Sequence, residues 1–486
     1  MRSPSCAACG FTRLAAAALT ASALIGSALA TGCMVGPNYK RPAVVAPDEF
    51  RGAPAETSDA AASIAERQWA DVFQDEQLRM LLGIALDHNY DVRVAASRVL
   101  QASAAYRVTR ADQFPEVDAA AQAQHERGVV FGGQRLPPFT IYQIDGAVSW
   151  VPDFWGKYRR ATEAARAQIL ASEWGRRAVL TSLVAQVASG YYTVRALDVQ
   201  LDIATRTLMS RQESLRLTQV REQGGATSLL DVRQAEQLVH SAQAQIIDLQ
   251  RTIEQQENAI SVLLGRNPGP IERGRSLVEQ PNPPELPAGL PSALLERRPD
   301  IQEAEQQLVA ANAQIGVAKA AYFPEISLTG TGGTASSALS SLFTTGLWSV
   351  AGGLVQPIFD AGRRKSQVAL ERARTEEAAL IYQKTILQAF REVSDALVGY
   401  RRDREFRAEQ ELLVKAAADA RQLTEVRYRG GASSYLDVLD SETRLFSAEL
   451  DLVGAQYNEL AAFVEIYRAL GGGWNESRPA TTPTVP

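Results

Sequence analysis

The chain has 486 residues, with 50 Lys and Arg against 55 Asp and Glu, a formal net charge of −5. That balance leaves no basic footprint for nucleic acid, and the lack of a long apolar run beyond the N-terminus excludes a polytopic helical membrane protein. The three cysteines (Cys6, Cys9, Cys33) all stand near the N-terminus, so from Met34 onward neither a disulfide nor a cysteine-based metal site is possible, and the three histidines (His88, His125, His240) have no histidine partner at i+3 or i+4.

In chain order, Arg2 and Arg13 lead into an uncharged stretch, Leu14–Ala30, with the length of a signal-peptide apolar region. It ends in "LATGC". Gly32 directly before Cys33 resembles the cleavage signal of bacterial lipoproteins, in which the cysteine becomes the first residue and is acylated; Ala30 stands where a leucine is more usual. The alternative is a plain secretory signal cut near Ala30 that leaves Cys33 a free thiol. Met34 after the cysteine, rather than an aspartate, fits the outer-membrane branch of the Gram-negative lipoprotein sorting pattern. Residues 1–32 are thus expected to be a lipoprotein signal peptide and residues 33–66 a lipidated, extended segment.

The rest of the chain is written twice. "LTQVREQGGATSLLDV" (Leu217–Val232) matches "LTEVRYRGGASSYLDV" (Leu423–Val438) at 11 of 16 positions. Upstream, Asp91–Val117 reads like Asp300–Ile326, and both stretches end in Phe-Pro before an acidic residue. Two matches in the same order predict two structural repeats, at about 67–266 and 292–472, with a Pro-rich linker at 267–291 between them and a tail at 473–486. Each repeat should run helix, strand, strand, long helix, turn, helix. The first helix ends at Phe-Pro because proline cannot continue it. Period-two alternation then predicts strands near 116–126 and 141–151, and near 325–333 and 347–358. Each is about the length of a tilted membrane-spanning strand, with one polar and one apolar face. Tyr142, Trp150 and Trp155, with Trp348 and Phe359, fit aromatic girdles at a membrane interface. A soluble hairpin packed on helices is the other reading of the same alternation.

No proline interrupts Trp155–Gln223 or Gly362–Arg429, so each run can form a single helix about 100 Å long. Each turns at a glycine pair (Gly224-Gly225 and Gly430-Gly431) and returns to Leu264 or Leu470, with hairpin tips near residues 224 and 430. These helices are polar and Ala-rich, suited to narrow coiled-coil packing; a solid coiled-coil rod remains the alternative. Four strands cannot close a transmembrane barrel, but three copies supply twelve.

With these pieces assembled, the chain resembles the TolC-like outer-membrane factors, in particular the lipoprotein branch serving resistance-nodulation-division multidrug pumps. The resemblance rests on "RRPDIQEAEQQLVAANAQIGVAKAAYFPEISLT", "YRGGASSYLDVLDSETRLF" and "YRALGGGW". It implies a mainly α membrane protein. Each chain gives four strands and very long helices in tandem repeats, and a homotrimer forms a 12-stranded barrel continuous with a helical periplasmic tunnel. It also implies a periplasmic adaptor protein and an inner-membrane transporter as partners, lipid around the barrel, and a gate at the tips. The family's tip motif stands here as Asp437-Val438-Leu439-Asp440, with Leu436 at the apolar constriction and Tyr428 at the latch. Ser433 stands where some members carry an arginine. Asp231 is the counterpart of Asp437, but Gln234 replaces Asp440 at the first tip, so the second tip is the better gate candidate. An aspartate just after a Gly-Gly turn also suits a helix N-terminus. The glycine pairs fit both a sharp turn and an adaptor contact. An efflux duct is the expected function and a type I protein-secretion duct the alternative. The different-class alternatives are an enzyme, for which no nucleotide loop, catalytic triad or metal cluster is found, and a lipid-anchored periplasmic scaffold that conducts no ions.

Overall fold

The computed structural model describes residues 34–44, 46–47, 50–51, 68–127, 137–281 and 291–472. The signal peptide, Cys33 and the C-terminal tail lie outside the described residues, as does part of the linker.

The elements fall into two matching series. After short helices α1 (Trp69–Val72) and α2 (Glu76–His88) come α3 (Tyr90–Ala111), β1 (Glu116–Glu126), β2 (Phe139–Trp150), α4 (Lys157–Gln223) and α5 (Leu229–Leu263). The second series is α6 (Pro291–Arg297), α7 (Pro299–Ala320), β3 (Glu325–Ser336), β4 (Gly346–Val355), α8 (Arg363–Arg429) and α9 (Tyr435–Ala469). α3 and α7 are both 22 residues long, α4 and α8 both 67, and α5 and α9 both 35, so the duplication extends to element length. Phe114-Pro115 and Phe323-Pro324 separate the first helix from the first strand in each series. β4 stops at Val355, short of residue 358, because Pro357 has no N–H for the ladder.

By contacts the chain forms two compact units. One contains Val99–Ala171, Ala304–Tyr382 and the N-terminal segment up to Ala43; the other contains Val44–Arg98, Ser172–Glu303 and the residues from Gln383 onward.

In the first unit the strands form one antiparallel meander in the order β1-β2-β3-β4. Its register separates two chemistries. Val117, Val148, Gly330 and Val350 lie in one row across all four strands. Ala119, Gly146, Gly332 and Trp348 form the next row on that face, and Trp150 with Leu328 another. The opposite face carries Asp118, Ala147, Thr331 and Ser349 in one row, and Glu116, Ser149, Thr329 and Ala351 in another. Apolar side chains on the first face stand in the open: Trp348 is 83% exposed and Val350 79%. Among the described residues, β1 and β4 each leave one edge of backbone donors and acceptors unpaired.

The second unit is helical. Phe73, Phe463 and Tyr467 pack edge to face, with centroids 6.2 and 5.9 Å from Phe73. Buried Asp75 caps α2 through Gln77 N and Leu78 N and also accepts from Tyr191 Oη, Arg275 N and Gln280 Nε2, tying linker residues to α4. Hydrogen bonding on this scale is what lets a carboxylate sit inside apolar packing, and it holds the Asp75 pKa low against the upward push of burial. The helices also meet end to end. Asn89 Nδ2, at the start of α3, donates to the Leu263 carbonyl at the end of α5 (2.9 Å). In the second series Arg298 Nη1 donates to the Ala469 carbonyl (3.1 Å). Both satisfy carbonyls that a helix C-terminus leaves unpartnered.

Candidate functional site: the paired hairpin tips

Each tip starts from a backbone requirement. α4 and α8 end where Gly225 (φ +72°) and Gly431 (φ +75°) take left-handed conformations open to glycine at little cost. The chain then reverses into α5 and α9, whose N-caps are Ser228 and Ser434. Ser228 Oγ accepts from Asp231 N (3.3 Å) while Ser228 N donates to Asp231 Oδ2 (3.0 Å). Ser434 and Asp437 repeat the arrangement at 3.3 and 2.9 Å. Both are capping boxes. The Asp437 carboxylate is therefore engaged by its own helix start, as Asp231 is. Thr227 Oγ1 adds a further hydrogen bond to Asp231, and this bond, with the Ser228 N–H, holds the Asp231 pKa below the usual carboxylate value.

Asp440 sits one turn further on. It is exposed and pairs with Arg444 Nε at 2.7 Å. Asp437 and Asp440 line one groove of about 890 Å³ between α8 and α9, together with Arg427, Arg444, Asp451 and a run of alanines. Leu436 projects at the end of the hairpin, 60% exposed, and Leu230 does the same at the first tip. The glycine pairs are likewise surface residues.

Inside the tips, Tyr435, Val438 and Leu439 form a buried cluster with Ala235, packed by Leu215, Leu238 and Tyr428. The Tyr435 hydroxyl lies 3.1 Å from Ser214 Oγ. Tyr428 stacks obliquely on Tyr435 (5.4 Å) and lies under the Arg221 guanidinium (4.7 Å); burial raises its pKa. It thus ties α4 to the second tip within one chain.

Sequence reasoning missed a charged layer behind this cluster. Arg211 is 3% exposed, donates from Nη1 to the Leu238 carbonyl (3.0 Å) and lies over the Phe446 ring (5.1 Å). Glu442 faces it, with Arg421 Nη2 at 3.8 Å. Arg211 Nε and Glu442 Oε2 find no hydrogen-bond partner among the described residues. Burial pushes the Glu442 pKa up, against the pull of Arg421 and Arg211, and pushes that of Arg211 down. Arg211 and Glu442 are far apart in sequence, and no motif links them.

The expected interface aromatics divide. Trp348 and Phe359 are bare. Trp150 Nε1 donates to the Gln113 carbonyl (3.1 Å), while Trp155 Nε1 donates to the Pro324 carbonyl (2.9 Å) and its ring stacks on Phe323 at 4.7 Å. Tyr142 is half-buried on β2. Among the described residues no group of His, Cys, Asp and Glu could hold a metal ion, and no helix is long and apolar enough to cross a membrane.

A strand sheet with segregated faces, joined to long helical hairpins, is the architecture of outer-membrane channels of the TolC type. The chain belongs to the outer membrane efflux protein family, whose model matches residues 81–266 and 290–472. It is 38% identical over 453 residues to the probable efflux pump outer membrane protein TtgC of Pseudomonas putida, covering 92% of this chain and 93% of that one. It is 35% identical over 451 residues to the cation efflux system protein CusC of Escherichia coli, covering 92% and 97%. Among solved structures, the open-state MtrE outer membrane channel of Neisseria gonorrhoeae superposes with a TM-score of 0.82 at 32% identity, covering 91% of this chain and 99% of that one. The chain is an outer-membrane channel of the efflux-pump kind, a transport protein of Gram-negative bacteria and not an enzyme.

Proposed function

We propose that three copies of this chain form the exit duct of a tripartite pump that expels drugs or other small toxic molecules. One observation carries the assembly: a four-stranded sheet with one apolar face, one polar face and two open edges. Apolar rows suit lipid and polar rows suit a watery lumen, and open edges require partners. Three such sheets close into twelve strands, and the two tandem repeats of each chain make the threefold assembly nearly sixfold. Cys33 carries the lipid anchor that holds the protein in the outer membrane. The duct works with a periplasmic adaptor and an inner-membrane transporter of the resistance-nodulation-division class. Relatives named for such different cargoes as antibiotics and cations support selection at the inner-membrane pump rather than in the duct.

The second tip is the gate. Around a threefold axis Asp437 and Asp440 give six carboxylates, a ring that attracts cations and resists close approach of its own members. Leu436 forms the apolar constriction, Tyr428 the latch, and Asp231 is the first tip's contribution to the gate. Gly224-Gly225 and Gly430-Gly431 shape the turns that meet the adaptor. Single-channel recording of purified protein in planar bilayers tests the reading, with wild type beside Asp437→Asn/Asp440→Asn. Small cation-selective openings that lose selectivity in the double variant are expected. Conductance and selectivity unchanged by the variant would place the constriction elsewhere; silence even after deletion of the tips would remove the barrel.

A further inference from the structure

The described chain begins at Met34, and the residues after it are moored along a fixed path. Val35 N donates to the Trp155 carbonyl (3.1 Å). Arg160, almost fully buried, reaches the Val35 carbonyl (3.3 Å) and Asn38 Oδ1 (2.7 Å). Asn312 Nδ2 holds the Pro37 carbonyl (3.1 Å), and Arg41 grips Glu305 through two hydrogen bonds of 2.7 and 2.5 Å. Gly36 (φ +110°) lies so close to Gly316 that an added Cβ would stand 2.5 Å from the Gly316 Cα. At the start of this path Met34 rests on Gly156, where an added Cβ would stand 3.0 Å from the Met34 Cα. A plain tether would need none of this; the mooring fixes Met34, which is one Cα–Cα step of about 3.8 Å from residue 33 in the covalent chain.

Trp155 and Lys157, on either side of the glycine that Met34 touches, line a cavity. A recess of about 300 Å³ opens at the junction of strands and helices, walled by Phe154, Trp155, Phe323, Ile326, Val355 and Pro357. The Trp155–Phe323 stack stiffens one side. The recess continues into the apolar rows of the sheet through the Ile326–Leu354 pair. The charged residues that also line it are paired, Lys157 with Glu325 at 3.1 Å and Asp153 with Arg159 at 3.4 Å, so no cation there is left for a headgroup phosphate. Its size is at the lower end of ligand pockets, enough for the greater part of one tail and not for a whole two-chain phospholipid.

We infer that this recess seats one of the acyl chains carried by Cys33. The inference rests on the lipoprotein reading proposed above. The anchor is then an internal part of the strand–helix junction, filling a void in the fold, as well as a membrane tether.

The test uses cells fed a fatty acid that bears a photoreactive diazirine near its tail. Membranes are irradiated, and the full-length protein is purified and digested with trypsin. The expected product is an intramolecular link between the acylated Cys33 peptide and the peptide ending at Lys157 or the one carrying Phe323. Ile326→Trp, which fills the recess, abolishes that link; if this variant does not assemble, the wild-type link map alone decides. Acylated Cys33 whose links run only to other lipids, or a free phospholipid adduct on the recess peptides, overturns the seat and keeps the anchor. A Cys33 peptide of unacylated mass overturns both.

Discussion

At the first tip Gly225 turns the chain, Ser228 caps α5 and Asp231 closes the capping box; at the second, Gly431, Ser434 and Asp437 do the same 206 residues later. The positions around this shared frame have diverged. Leu229 is exposed, and its counterpart Tyr435 is buried in the tip cluster. Leu215, which packs that cluster, corresponds to Arg421, and Ala417 to Arg211. Glu236 pairs with Arg233 at 2.6 Å on the surface, whereas its counterpart Glu442 is buried between arginines. The turn was kept because backbone geometry admits few alternatives. The side chains were free to specialise: the second tip took the acidic pair and Glu442, and α4 took the buried Arg211 that faces it.

The largest effect should separate the tips. Tyr435→Ala removes a buried ring and is expected to cost about 3–5 kcal/mol, whereas Leu229→Ala at the matching site should stay within about 0.5 kcal/mol. Hydrogen exchange across residues 428–446 and 221–239 would read both; equal losses would break the asymmetry. A smaller effect should be shared. Ser228→Ala and Ser434→Ala each lose a cap worth about 1 kcal/mol, seen as faster exchange in the first turn of α5 and of α9. Loss at one tip alone would mean that the frame is not common to both.

The subtlest difference is in pH. Burial raises the Glu442 pKa, so the folded state binds this proton more tightly than the unfolded chain does. Its contribution to stability is therefore greatest in acid and declines as pH rises from the ordinary carboxylate value of 4.5 through the raised pKa. Glu442→Gln should flatten that slope in a melting-temperature series. Matching profiles for Glu442→Gln and wild type would show that the buried layer does not titrate.

Much of this was legible in the sequence because the signals are local. Strand alternation, the Phe-Pro stops, the proline-free helices and the Gly-Gly turns each depend on residues within a few positions of one another. The identity of the Asp437 partner was half legible: the capping pattern and the gate motif fall on the same residue, and only coordinates show its carboxylate bonded to Ser434. The Arg211–Glu442 layer, the matched roles of Asn89 and Arg298 and the Asp75 network were not legible. Each joins side chains from separate helices, and polar residues in a polar, Ala-rich helix give no sign of which will be buried. The partners of Trp150 and Trp155 were hidden for the same reason: an aromatic at a strand end gives no sign that its indole N–H will reach a loop carbonyl.

The mooring of residues 35–41 has a consequence in time. Ribosomes make this segment well before its partners, since its anchors at Glu305 and Asn312 lie 264 to 275 residues downstream. Throughout synthesis and export the segment has nothing from the second repeat to hold it. Contacts of such long sequence separation form late, because the intervening chain must be ordered before they can close. This early-made segment is thus among the last parts to settle, and its docking reports that both halves of the strand–helix junction have folded together.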